Sequence, residues 1–175
     1  MLRTVSIIAA IVAPVMAAGG LAGCQTTRQA SPLITEYDQA DARAELAFWH
    51  GLAAQPITTH NDAFHGLIEL ARGEDPFAGY EQRVQWLKEQ KLLDEGFQAP
   101  ADAAVTRGTV AQVLVNILDI DGGLTMRLFG AHPRYATREL VYLDIMERGT
   151  NQQALAGIQF VTIIGRASDY QGVVP

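Results

Sequence analysis

Thr106-Arg107-Gly108-Thr109-Val110-Ala111-Gln112-Val113-Leu114-Val115, residues 106–115, is the stretch whose reading decides the fold. Val110, Val113, Leu114, Ile117 and Leu118 fall at i, i+3, i+4, i+7 and i+8, which lays one broad apolar stripe along a helix. Thr106 starts that helix and Asp121-Gly122-Gly123 ends it. Two other stretches align with it, at 59–68 and 156–165, with offsets of 47 and 50 residues. Apolar residues then coincide at Ala63, Val110 and Phe160, at Phe64, Ala111 and Val161, and at Leu67, Leu114 and Ile164.

Each aligned stretch is preceded by a helix that carries an aromatic residue, Trp49, Trp86 and Tyr142 in turn. In the first, Leu46, Trp49 and Ala53 recur at helical spacing, Phe48 and Leu52 widen the stripe, and Pro56 stops it. Thr59-His60-Asn61-Asp62 then has the shape of a helix start, with Ala63, Phe64, Leu67, Ile68 and Ala71 inward and Gly73 near the close. Tyr80 to Leu93 reads as a helix with Val84 and Leu87 inward and Gly96 as its cap. Residues 136–147 are apolar on most faces, which predicts a buried helix. A last helix from Gly157 places Phe160, Ile163, Ile164 and Ala167 inward, and residues 124–129 alternate loosely enough for a short extended segment. One helix pair cannot bury its own apolar face and needs its neighbours. The expectation is therefore a mainly α chain of three helix pairs, at 41–73, 77–120 and 133–170, packed as one compact domain over 41–172. Chance alignment of amphipathic helices is the alternative.

The middle copy carries a family resemblance. Tyr80 to Leu118, with Trp86-Leu87, Leu92-Leu93-Asp94-Glu95-Gly96-Phe97, the Pro100 loop and Val105-Thr106-Arg107-Gly108, resembles an S-layer homology repeat. The resemblance implies three helix pairs around a pseudo-threefold axis. It also implies binding of cell-wall polysaccharide, with the Arg of a Thr-Arg motif in the groove between repeats. Only Thr106 and Arg107 match that motif, since the first copy has Thr59-His60 and the third Ala156-Gly157.

The opposite end of the chain gives an address. Arg3 is followed by an uncharged apolar run interrupted by Pro14 and ending in Gly19-Gly20, the layout of a secretory signal rather than a spanning helix. Leu21-Ala22-Gly23-Cys24 resembles the lipobox of bacterial lipoproteins, which implies cleavage after residue 23 and lipidation of Cys24. Two or three acyl chains hold a protein on a membrane firmly where one holds it marginally. An ordinary signal peptide ending near a cysteine is the alternative. Cys24 is the chain's one cysteine, so no intrachain disulfide can form. Residues 24–40 read as a flexible tether between lipid and domain. Export to the periplasmic face of the outer membrane or to the cell surface follows from this reading.

The whole chain carries a net charge of −6, and residues 1–23 contain Arg3 as their sole charged side chain, so the mature part is more acidic still. That argues against nucleic acid as a partner and against a polybasic grip on anionic lipid. Arg107 offers a planar two-donor fork for a carboxylate, or else pairs structurally with Asp102 or Glu95. His60 and His65 are five residues apart and diverge on a helix, so no metal site is expected there, and no cofactor is implied. Asp119-Ile120-Asp121-Gly122 begins like a calcium loop but lacks the later ligands, and reads as a helix end. Trp49, Trp86 and Tyr142 read as core rather than as sugar-stacking residues. No Gly-x-Ser-x-Gly elbow or phosphate loop is present. The functional expectation is a non-catalytic envelope lipoprotein that binds a wall polymer or another envelope component, with Thr106 and Arg107 as candidate ligand-binding residues. The alternatives are a scaffold subunit of a membrane-associated complex and, behind it, a hydrolase with an unidentified carboxylate or histidine.

Overall fold

A computed structural model describes residues 27–29, 31–36, 42–123, 126, 128 and 130–173. The expected signal segment 1–23 and the expected lipidation site Cys24 lie outside the described residues. The fold is mainly α, with no strand among the described residues. A 3-10 turn at Leu33–Glu36 precedes α1 (Ala42–Ala53), α2 (His60–Arg72), α3 (Tyr80–Glu89), α4 (Arg107–Ile117), α5 (Pro133–Tyr142) and α6 (Gly157–Val173). No described helix is long and apolar enough to cross a membrane.

The helix ends follow from local chemistry. The Thr59 hydroxyl oxygen accepts the Asp62 N–H at 3.2 Å at the start of α2, and Thr106 accepts the Thr109 N–H at 3.2 Å at the start of α4. Ala156 has no hydroxyl, and its own N–H donates instead to Gln159 Oε1 at 3.1 Å, the other half of a capping box. Gly73 closes α2 at φ +83°, in the left-handed region where a residue without a Cβ is unstrained. Helices α3 and α5 end alike. Lys91 and Asp144 take positive φ, after which the N–H groups of Leu92 and Leu93 converge on the Leu87 carbonyl, and those of Ile145 and Met146 on that of Leu140.

Helix α2 packs against α3, α4 and α6, while α4 packs against α5 and α1 against α6. The residues just before α2, α4 and α6 meet at the centre. Thr58 N–H donates to Leu155 O at 2.8 Å, Leu155 N–H to Val105 O at 3.1 Å, and Val105 N–H to Thr58 O at 2.9 Å. All three are completely buried, so these bonds form a closed backbone ring out of reach of water. One step outward, the N–H groups of His60, Arg107 and Gly157 donate to Ala103, Gln153 and Gln55. Around this ring sits the core, with Phe48, Leu52, Phe64, Leu67, Leu114, Leu140 and Phe160 all fully buried.

Several expectations are corrected by the packing. Helix α5 is not buried all round: Ala136 and Leu140 are buried, but Tyr142 is 80% exposed and Val141 only half-buried, and Ile145 and Met146 sink from beyond the helix end. Hence Tyr142 is not core, although Trp49 and Trp86 both pack against it. On α1 the buried line is Phe48 and Leu52, and Leu46 is exposed; on α2, Ala71 is exposed. Met126 and Leu128, the described residues of the segment expected to be extended, are helical. The described part of the expected tether is docked: Gln29 N–H donates to Asp102 O, Ala104 N–H to Thr27 O, and buried Ile34 donates its N–H to Asp62 Oδ1 at 2.7 Å. Pairing with the helical domain satisfies this backbone where solvent was expected to do so.

Candidate functional site

Thr106 and Arg107 stand together at the start of α4, one as cap and the other as first helical residue. The loop from Glu147 to Gln153 closes over them, because Gly108 and Arg107 donate their N–H groups to Asn151 and Gln153. Two glycines permit this approach. A Cβ on Gly108 would stand 2.9 Å from Asn151 O, and one on Gly149 would stand 2.9 Å from Arg107 Nε. The Arg107 side chain is thereby buried, 2% exposed, with Nη2 donating to the Glu147 carbonyl oxygen. Its Nε is buried without a hydrogen-bond partner. Burial pushes the guanidinium below its ordinary value, and the nearby Glu147 charge opposes that shift. Neither carboxylate proposed from the sequence pairs with it, and Asp102 instead lies 3.7 Å from Arg28.

A cavity of about 150 Å³ opens beside Arg107, between α4 and α6. Arg166 lines it as a second cation, Gln159 and Thr162 add neutral polar groups, and Ile158 and Ile163 provide an apolar wall. The volume is smaller than the roughly 300 Å³ at which drug-sized pockets begin. It suits one anionic group or one small ring.

The equivalent positions before the other helices differ in chemistry. His60 is buried, with Nδ1 2.9 Å from Ala103 O, and Phe64 and Phe97 stand edge-on to its ring. Burial holds its pKa below the usual histidine value, although backbone carbonyls of Ala103 and Pro100 pull the other way. Gly157 has no side chain, because a Cβ there would lie 1.6 Å from Leu52 O. Of these three positions, only Arg107 carries a permanent charge.

A second polar centre was not visible in the sequence. Arg83 on α3 is 1% exposed and donates to Asp75 Oδ2 at 2.5 Å, to Asn61 Oδ1 at 2.7 Å and to the Phe77 carbonyl at 2.7 Å. His65, 1% exposed, places Nδ1 2.7 Å from the same Asp75 oxygen. Burial raises the Asp75 carboxyl, but the contacts from His65, Arg83 and Phe77 outweigh it, and the net shift is downward. Across the His65 ring, Nε2 stands 3.5 Å from Glu45 and 3.7 Å from Glu69. Glu69 is pushed up to about 8, first by burial and then by the neighbouring Glu45 and Asp75. As expected from their spacing, His60 and His65 serve separate surroundings. The hint in the sequence was the i, i+4 pair His65 and Glu69; the spacing says nothing of Glu45, which comes from another helix.

No family model, curated protein or solved structure matches this chain.

Proposed function

We propose that this chain is a lipid-anchored envelope protein whose three helix pairs close on one another in the S-layer-homology manner, and whose Arg107 groove takes an anionic group of a wall polymer. Support for the three-pair reading comes from the backbone ring Thr58–Leu155–Val105, which joins the positions directly before the aligned residues 59, 106 and 156. The like endings of α3 and α5 support it as well. The observation that carries the binding reading is the buried Arg107 Nε, unpartnered beside a cavity that holds a second arginine. A guanidinium with a spare donor in a desolvated groove favours a carboxylate or phosphate over a neutral sugar. One such groove rather than three predicts weak binding for each molecule, which many copies on a membrane would reinforce. The Leu21–Cys24 motif supports the anchor, and the domain carries no catalysis in this reading.

The test is co-sedimentation of the full chain with purified wall material, with Arg107→Ala and Arg166→Gln as variants. Loss of retention in both, with helical content unchanged by circular dichroism, is the expected result. Retention by Arg107→Ala equal to that of the parent removes the groove from the argument. Mass spectrometry of the membrane-extracted protein checks the anchor, which Cys24→Ser should abolish. A scaffold role is the second reading, supported by the exposed Leu46 and Tyr142. A protein partner that survives glycan competition would favour it.

A further inference from the structure

We propose that His65 Nε2 and the carboxylates of Glu45 and Glu69 form a binding site for a divalent first-row transition cation of the zinc type, at the junction of α1 and α2. One ligand atom from each residue lies within 4.8 Å of the other two. His65 Nε2 is 3.5 Å from Glu45 Oε2 and 3.7 Å from Glu69 Oε2. Ligands held about 2.0–2.1 Å from a tetrahedral zinc stand about 3.3 Å from each other; the two histidine–carboxylate distances exceed that by a few tenths of an ångström, and rotation of the carboxylates would close the third, which lies within 4.8 Å.

The histidine is the independent sign of a ligand. It is 1% exposed, and its Nε2 is buried with no hydrogen-bond partner. Its other nitrogen, Nδ1, sits 2.7 Å from Asp75 Oδ2. In the neutral tautomer with the proton on Nδ1, the Nε2 lone pair is directed at two carboxylates. When both carboxylates are ionised, they and the Nε2 lone pair repel one another, and a cation placed among them reverses the sign of the interaction. The outer groups have the arrangement that metal-binding histidines use, a carboxylate on the far nitrogen that sets tautomer and ring orientation. Asp75 is itself held, by Arg83 Nε at 2.5 Å and by the Phe77 N–H at 3.0 Å. Phe48 stands edge-on to the imidazole at 4.8 Å and packs the ring from the core side.

The donor set selects the ion. One imidazole and two carboxylates match the double charge of a transition cation, and imidazole is a poor ligand for calcium or magnesium, which take oxygen ligands. Three protein ligands leave a coordination position for water, and Glu45 and Glu69 are partly exposed, which gives the ion a path from solvent. The site is separate from the Arg107 groove, and neither reading depends on the other.

The full chain, stripped with a chelator, is titrated with Zn²⁺ by calorimetry and with Co²⁺ by visible absorption. One equivalent should bind, and Co²⁺ should develop the ligand-field bands of a low-coordinate N,O site. Glu45→Gln and Glu69→Gln should each weaken Zn²⁺ by at least about tenfold, since loss of an outer partner alone costs that much. His50→Ala and His132→Ala should leave it unchanged. Nitrogen NMR of the imidazoles keeps the test valid should a variant misfold: in the parent protein, Zn²⁺ should shift Nε2 of His65 and neither nitrogen of His60. Absence of a stoichiometric Zn²⁺ site in the parent, unchanged affinity in both glutamine variants, or loss of binding with His50 or His132 would each overturn the proposal.

Discussion

Gly157→Ala adds one methyl group at the place where α6 meets the end of α1. The added Cβ would stand 1.6 Å from Leu52 O, 2.7 Å from Leu52 C and 3.2 Å from Gln55 O. Carbon and carbonyl oxygen rest about 3.3 Å apart, so the two segments must separate by more than about 1.5 Å. The obstructing atoms are backbone, and no rotamer can move them aside. Overpacking of this kind typically costs about 1–3 kcal/mol. The displacement also breaks the bond from Gly157 N–H to Gln55 O, 3.0 Å long, which adds about 1 kcal/mol. A loss of about 2–4 kcal/mol is expected, a large part of the roughly 5–15 kcal/mol typical of whole domains. Gly165→Ala on the same helix is the control. Nothing lies within 4 Å of its added Cβ, so relief of glycine's backbone entropy should stabilise the fold by about 0.5–1 kcal/mol. Urea denaturation followed by circular dichroism reads both. If Gly157→Ala stays within about 1 kcal/mol of the parent, or if the two variants shift stability in the same direction, the close approach of α1 and α6 is wrong.

Two further outcomes follow from buried charge. Arg83→Ala leaves Asp75 buried without its guanidinium, and breaking such a pair costs about 3–5 kcal/mol, measurable in the same urea titration. Burial holds the folded-state pKa of His60 below the ordinary histidine value of 6.5, so below about that pH the unfolded chain takes up a proton that the folded chain refuses. By linkage its contribution is fully present above pH 6.5 and is lost as the pH falls toward the folded-state pKa. His60→Gln should therefore flatten the pH dependence of stability in that window, and a slope equal to the parent's would show that His60 is not the group responsible.

Helix content was legible because it rests on local periodicity. The 3.6-residue recurrence at Val110, Val113 and Leu114, and the caps at Thr59, Thr106 and Gly73, need no tertiary information. Register was less legible. A stripe containing both Leu46 and Phe48 has no unique centre, and only packing of α1 against α6, with His65 of α2 against the Phe48 ring, decides that Phe48 turns inward. The apolar run around Tyr142 misled for a related reason. Helix α5 stops at Tyr142, and the chain reverses through Asp144, so Ile145 and Met146 reach the core by a turn rather than along the helix. Arg83 and Asp75 were unreadable as buried residues, since charge alone predicts exposure and their partners lie in a loop and on other helices. Arg107 was legible as a candidate through the Thr-Arg pair. Its partner was not, because that partner is a backbone carbonyl 40 residues away, which no side-chain pattern encodes.

The backbone ring has a consequence for the order of events in the cell. Its first member, Thr58, donates to its last, Leu155, and α1 finds its packing partner in α6. A polypeptide that emerges N-terminus first therefore cannot finish its core until the final helix has left the ribosome. Closure over such a span also makes folding slow, because chain entropy is lost before distant contacts compensate. For a chain exported as proposed above, lateness would be useful. It keeps the polypeptide a thread, able to pass through a secretion channel that a closed domain would block.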